Sequence, residues 1–195
     1  MDNNRLIGKL FLEREEAVKR LVSTVSLVEK CSEIADMIID CFMDGGKVMF
    51  CGNGGSAADA QHLAAELSGK FYLDRRSLPA EALHVNSSYI TAVANDLSFS
   101  EVYSRILDGA GKKGDILVAL STSGNSDNII RAVETANILG INTIGFTGKD
   151  GGKLKDLARV PVLFPSDDTP VIQEMHMIAG HIICQVVEAI MFGHE

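Results

Sequence analysis

Four short apolar runs constrain this chain more than anything else in it: KVMFCG (47–52), DILVALS (115–121), INTIGFTG (141–148) and VPVLFP (160–165). Each is short, apolar and bounded by turn-forming residues, the pattern of a strand buried on both faces. A further strand is expected at about Glu81 to Val85. Segments with helical spacing stand between the strands: about Ser56 to Phe71, then SSYITAVAND, FSEVYSRILDGA, NIIRAVETANILG and GGKLKDLA, and finally about Thr169 to Phe192. This alternation predicts an α/β fold, a doubly wound parallel sheet in three layers with helices on both faces. Ligands of such sheets bind beyond the carboxyl ends of the strands, where loops lead into helix N-termini.

Residues 5–43 carry apolar positions at helical spacing (Leu6, Leu10, Phe11, Leu21, Val22 and Val25, then Ile34, Met37, Ile38 and Phe42) until Gly45 and Gly46 end the pattern. This helical extension, residues 1–45, has no strand to cover, so it is expected to bury its apolar faces against another subunit or within itself. The 195 residues fit a single domain, 1–195. A net charge of -8 excludes nucleic acid as the main partner, because a phosphate backbone needs clustered Lys and Arg. One local pocket for a small anion remains compatible with it. Cys31, Cys41, Cys51 and Cys184 form no C-x-x-C pair, the usage of a reducing compartment. The opening MDNNRLIGKLFLEREEAV is charged throughout and lacks the apolar centre of a signal peptide. Gln173, Glu174, His176, His181, Gln185 and Glu188 make the apolar C-terminal run too polar for a membrane span. A cytoplasmic protein without membrane or nucleic-acid partners is expected.

Two loops stand at the expected ligand end. STSGNS gathers the hydroxyls of Ser121, Thr122, Ser123 and Ser126 before an apolar helix. Free N–H groups and the helix dipole favour an anion there, and the hydroxyls add neutral donors: a phosphate cradle without a lysine. The same residues also suit a plain turn with Ser126 as the helix cap. In GNGGS, the spacing of Gly52, Gly54 and Gly55 matches neither common nucleotide-binding glycine motif. Gly54 and Gly55 permit close approach of a ligand, with Asn53 and Ser56 offering polar atoms to sugar hydroxyls. A tight strand-to-helix turn is the other reading.

His62 and Glu66, four residues apart, share a helix face. That spacing suits two ligands of one metal ion, an acid-base pair or an exposed polar couple. Gln173 and His181 are eight apart on the last helix, about 12 Å along its axis. They reach one ion only by leaning together or by coming from different chains. His176 suits a supporting or packing role.

Together CGNGGSAADAQHLAAEL, TAVANDLSF, STSGNS, TGKDGG and IQEMHMIAGH, in this order, make the chain resemble the sugar isomerase (SIS) domain proteins and, within them, the phosphoheptose isomerases. The match runs over nearly the whole chain. The resemblance implies a flavodoxin-like SIS fold, a homotetramer with active sites at subunit interfaces, and an aldose-ketose isomerase. The reaction would convert sedoheptulose 7-phosphate to D-glycero-D-manno-heptose 7-phosphate through an enediolate, the first step of bacterial heptose synthesis. The resemblance also implies one zinc ion per subunit held by His62, Glu66, Gln173 and His181, with Glu66 as base and His181 as acid. Phosphate would lie on Ser121, Thr122, Ser123 and Ser126, and the sugar near Asn53, Gly54, Gly55, Ser56, Asn95, Asp96 and Gln173.

This sequence departs from the family pattern at four places. Lys70 and Val171 stand where arginines are expected, Asn86 replaces a frequent aspartate, and Leu97-Ser98 replaces Tyr-Gly. Neither lysine nor valine gives an arginine's bidentate contact. Two alternatives follow from the same resemblance: an isomerase of another phosphosugar, or a non-enzymatic SIS protein that binds a replication initiator. Proteins of the latter kind lack the glutamate and histidine present here as Glu66 and His181.

Overall fold

In the computed structural model, which describes residues 2–193, the apolar runs become the centre of a five-stranded parallel sheet. Its strands are β1 (Val48–Gly52), β2 (Ala80–Ala82), β3 (Ile116–Leu120), β4 (Asn142–Thr147) and β5 (Val160–Leu163), in the order β2-β1-β3-β4-β5. The register pairs Phe50 with Val118 and Leu120 with Phe146, so side chains alternate in phase across the sheet. Val48, Phe50, Val118, Ile144 and Phe146 enter one core, and Met49, Cys51, Leu117 and Ala119 the other.

The first core is closed by α1 (Asn3–Ser23), α2 (Val25–Met43), α3 (Gly55–Ser68) and α8 (Thr169–Phe192). The second is closed by α4 (Ser87–Asp96), α5 (Val102–Ala110), α6 (Asp127–Ile138) and the single turn α7 (Leu154–Leu157), with a 3-10 turn at Phe99–Glu101 before α5. The three-layer doubly wound architecture expected from the alternation of runs is the one present. Two elements are shorter than expected. β2 is a three-residue edge strand paired only with β1. α3 stops at Ser68, where Gly69 follows and Arg75 turns back to take the carbonyls of Glu66 and Leu67.

The N-terminal region needs a correction. It breaks at Thr24 into two helices with different environments. Ile34, Ile38 and Phe42 of α2 are buried in the first core, so this helix does cover strands. Full burial of such side chains contributes about 2 kcal/mol each, which makes α2 part of the sheet's own layer. On α1 only Ala17 and Leu21 are buried, while Phe11 is 73% and Leu12 62% exposed. The Arg14–Glu174 ion pair at 3.4 Å ties α1 to α8.

α8 is long and apolar enough to cross a membrane by length and composition alone. Here its Val171, Met175, Ala179, Ile183 and Val187 lie buried in the core between α2 and α3. All four cysteines carry free thiols, and burial pushes the Cys184 thiol up to about 12, which keeps it protonated and unreactive.

Candidate functional site

β2 lies on one side of β1, and β4 on the far side of β3. The chain therefore leaves β1 and β3 in opposite directions, and their carboxyl ends open the crevice in which doubly wound sheets bind ligands. GNGGS leaves β1 and STSGNS leaves β3. A reciprocal amide pair bridges them: Asn53 Nδ2 donates to Asn128 Oδ1 and Asn128 Nδ2 donates to Asn53 Oδ1, both at 2.8 Å. Asn128 is buried in the first turn of α6. Beneath the loop, the buried Tyr103 hydroxyl donates to the Gly52 carbonyl, and burial raises its pKa above the ordinary phenol range.

In STSGNS, Ser126 occupies the N-cap position of α6, but its side chain makes no capping bond. Its Oγ instead lies 3.3 Å from Ser121 Oγ. The helix cap is thus not what the hydroxyl is used for, and the first N–H groups of α6 keep their capacity for an anion. A third loop, TGKDGG, braces this one from behind. Gly148 N–H donates to Thr122 O at 3.2 Å, Lys153 N–H to Asn125 Oδ1 at 3.1 Å and Leu154 N–H to Gly124 O at 3.0 Å. Gly124 has a left-handed φ of +63°, and a Cβ there would stand 2.0 Å from the Gly151 carbonyl oxygen. Asn95 and Asp96 lie exposed at the end of α4, with Asn95 Nδ2 donating to Asp96 Oδ1 at 2.8 Å. Among the described residues no hydrogen bond joins them to either loop.

From the crevice, α3 and α8 run side by side in the same direction. Gln173 Nε2 donates to Ser56 Oγ at 3.2 Å where the seam begins. Farther along, Gly180 lets α8 press onto α3, since a Cβ at 180 would lie 2.5 Å from Leu63 Cδ2. That approach brings the neighbours of these two residues together. His62 Nε2 is 3.0 Å from Glu66 Oε1 and 3.2 Å from His181 Nε2. One potential ligand atom from each of the three lies within 4.8 Å of the others, a possible metal-binding group. The Phe71 ring stacks on His181 with centroids 6.0 Å apart.

So of the four expected metal ligands, the structure gathers three and leaves Gln173 on Ser56. Asp59, one turn before His62, has a buried oxygen without a partner. Burial pushes its carboxyl up to about 6, with the charge of His62 opposing. His176 is fully buried between Phe146 and Phe164. Neither ring nitrogen has a hydrogen-bond partner, and burial drives the imidazole down to about 3; the Thr147 backbone, outside bonding geometry, opposes this weakly.

Three of the sequence's departures now have surroundings. Asn86 caps α4, its Oδ1 accepting from Tyr89 N–H at 3.0 Å, which an aspartate would do equally well. Val171 is buried in the core face of α8, and Lys70 is exposed. Sequence reasoning missed Asn128, Gly180, Phe71 and the bracing role of TGKDGG. Only Asn128 left a signal, an amide standing beside the apolar pair Ile129-Ile130.

The SIS domain family model matches residues 15–148. The chain is 47% identical over 180 residues to the phosphoheptose isomerase of Clostridium acetobutylicum, covering 92% of each. It superposes on the solved phosphoheptose isomerase of Neisseria gonorrhoeae with a TM-score of 0.89 at 38% identity, over 95% of this chain and 98% of that one. For the enzyme of Francisella tularensis the TM-score is 0.91 at 33% identity, over 96% and 98%. Loops, seam and likeness agree: the chain belongs to the SIS domain family and, within it, to the phosphoheptose isomerases.

Proposed function

We propose that this chain is an aldose-ketose isomerase that interconverts sedoheptulose 7-phosphate and D-glycero-D-manno-heptose 7-phosphate. That is the first step of ADP- or GDP-heptose synthesis for lipopolysaccharide, capsule or another surface glycan. Beside family membership, one observation carries the reading: His62, Glu66 and His181 converge on a seam that starts at a phosphate-type crevice. Ser56 and His62 are six residues apart on α3, a rise of about 9 Å. That rise lies within the reach of an open-chain sugar running from Ser56 at the crevice to the cluster at His62.

In this reading the phosphate is held by Ser121, Thr122, Ser123, Ser126 and the first N–H groups of α6. Asn53, Gly54, Gly55, Ser56, Asn95, Asp96 and Gln173 face the sugar. Isomerisation of the ketose removes a proton from C1, beside the carbonyl, and returns one to C2. Glu66 takes that proton; its Oε1 is turned to His62, so Oε2 is the oxygen left for the transfer. His181 supplies a proton to the carbonyl oxygen as negative charge gathers there and recovers one from the C1 hydroxyl as the aldehyde forms, so its proton count is restored.

His62, Glu66 and His181, with Gln173 as a fourth ligand, would hold one zinc ion per subunit. The donor set fits that ion. Ligand atoms about 2.1 Å from a tetrahedral zinc are about 3.4 Å from one another, and the atoms here stand 3.0 and 3.2 Å apart. Bound zinc would polarise the carbonyl and hydroxyl oxygens as a Lewis acid. Gln173 joins the set only by leaving Ser56 and leaning along α8, or by coming from a neighbouring subunit. Exposed Ile7, Phe11 and Leu12 on α1 and Ile182 and Ile190 on α8 support assembly with further copies of the chain; the resemblance to the family makes that assembly a cytoplasmic homotetramer with its active site at a subunit interface.

Turnover of sedoheptulose 7-phosphate, followed by NMR with and without a chelator and after zinc is restored, tests the proposal. Product formation that the chelator stops and zinc restores is expected. Zinc-loaded protein without turnover would rule the isomerase out. A clear preference for a pentose or hexose phosphate would replace the heptose.

A further inference from the structure

One buried ion pair lies outside the site yet joins α8 to the end of α3 and to the segment that follows it. Arg75 Nε donates to Glu188 Oε1 at 2.8 Å, and both side chains are only 2% exposed. The rest of the guanidinium is spent on main-chain carbonyls. Nη2 donates to Glu66 O at 2.9 Å, and Nη1 lies within 3.2 Å of the carbonyls of Leu67, Gly69 and Arg76. The other Glu188 oxygen accepts from Tyr72 N–H at 2.8 Å and Leu73 N–H at 3.1 Å. Burial alone would raise this carboxyl, but those N–H groups and Arg75 outweigh it and hold it below the usual range.

The partners are specific. Arg75 grips the backbone of Glu66 itself. Glu188 follows His181 by seven residues, two helical turns along the same face of α8. By fixing Tyr72 and Leu73, Glu188 also fixes the segment whose Phe71 ring backs the His181 imidazole. An arginine is the side chain that can do this, because its planar fork meets a carboxylate and several carbonyls at once.

We propose that Arg75 and Glu188 form a positioning clamp that sets the separation of α3 and α8, and with it the geometry in which His62, Glu66 and His181 meet a metal ion. The inference rests on the metal reading of that cluster. Groups that orient ligands without binding the ion are worth about 10-fold to 100-fold in metal affinity. A buried pair replaced by apolar residues of similar volume often leaves stability unchanged, so the clamp and the fold can be separated.

The experiment uses the full chain carrying Arg75→Met with Glu188→Leu. Zinc affinity is measured by competition with a chromogenic chelator, the visible absorption of bound cobalt(II) reports site geometry, and thermal unfolding reports the fold. The expected result is a zinc dissociation constant raised about 10-fold or more, with an altered cobalt spectrum. Wild-type affinity and spectrum in the variant, whatever its Tm, would overturn the clamp. If the double variant does not fold, Arg75→Lys decides by the same two readouts, since lysine keeps the charge beside Glu188 and loses the fork. Wild-type protein that binds neither ion would overturn the clamp together with the metal reading. Binding that His62→Ala abolishes and the clamp variants leave intact would overturn the clamp alone.

Discussion

The crevice and the seam are two halves of one candidate site, built by opposite means. Around the crevice, three loops present backbone N–H groups, hydroxyls and amides, and brace one another through Asn53–Asn128 and the contacts of TGKDGG. Along the seam, ionisable side chains from two helices meet because Gly180 leaves room for Leu63. In the crevice half each loop is a contiguous motif rich in hydroxyls and amides, and the motifs are then tied together across up to 75 positions. The seam half is ionisable and exists only in the folded chain, its hydrogen bonds joining residues 117 and 119 positions apart.

The largest effect should come from the seam. Glu66→Gln keeps size and polarity but cannot take a proton, so kcat should fall about 1,000-fold, about 4 kcal/mol in the barrier. Circular dichroism should report an unchanged fold. Metal analysis of the same variant sharpens the outcome, because zinc retained with turnover lost makes Glu66 the base more than a ligand. Near-normal kcat would take Glu66 out of the chemistry altogether.

The crevice should respond in substrate binding instead. Asn128→Ala leaves the half-buried Asn53 amide without its partner, a loss of about 2 kcal/mol. The Michaelis constant for a phosphorylated sugar should rise by about 10-fold to 30-fold, while zinc content stays at the wild-type level. A variant that loses metal and keeps its Michaelis constant would erase the division between the two halves.

The smallest effect is on acid stability. His176 has its pKa lowered by burial to about 3, so between about pH 6.5 and 3 the unfolded chain binds a proton that the native chain refuses. Stability held above pH 6.5 is therefore lost as the pH falls through this window. His176→Phe removes the titrating group while filling the space beside Phe146 and Phe164. Denaturant unfolding at pH 7.5 and 5.5 should show wild type losing about 1 kcal/mol relative to the variant. Equal losses would mean that His176 takes up its proton in the folded state.

What could be read from the sequence follows the same division. The strands, the crevice loops and their order were legible because each is a contiguous pattern governed by local backbone chemistry. His62 and Glu66 were legible as a pair through the helical repeat. Their meeting with His181 was expected only through the family resemblance, since nothing near residue 62 encodes the approach of Gly180. Within one chain Gln173 rests on Ser56, about 12 Å of helix from His181, which agrees with the spacing that lets the two meet only by leaning together or from different chains. α2 was misjudged for a related reason. A helix preceding the first strand looks as though it has nothing to cover, whereas a parallel sheet offers its face to helices from any part of the chain.

α8 also has a consequence for how the protein is made. It closes the core that α2 and α3 flank, and it follows every strand in the chain. During synthesis at about 5–20 residues per second, the apolar stripes of α2 and α3 wait several seconds before their cover leaves the ribosome. Ile34, Ile38, Leu63 and Leu67 are then open to chaperones or to neighbouring nascent chains. The meeting of His62 and Glu66 with His181 is correspondingly a late event, since α8 has to seat before the three side chains can converge.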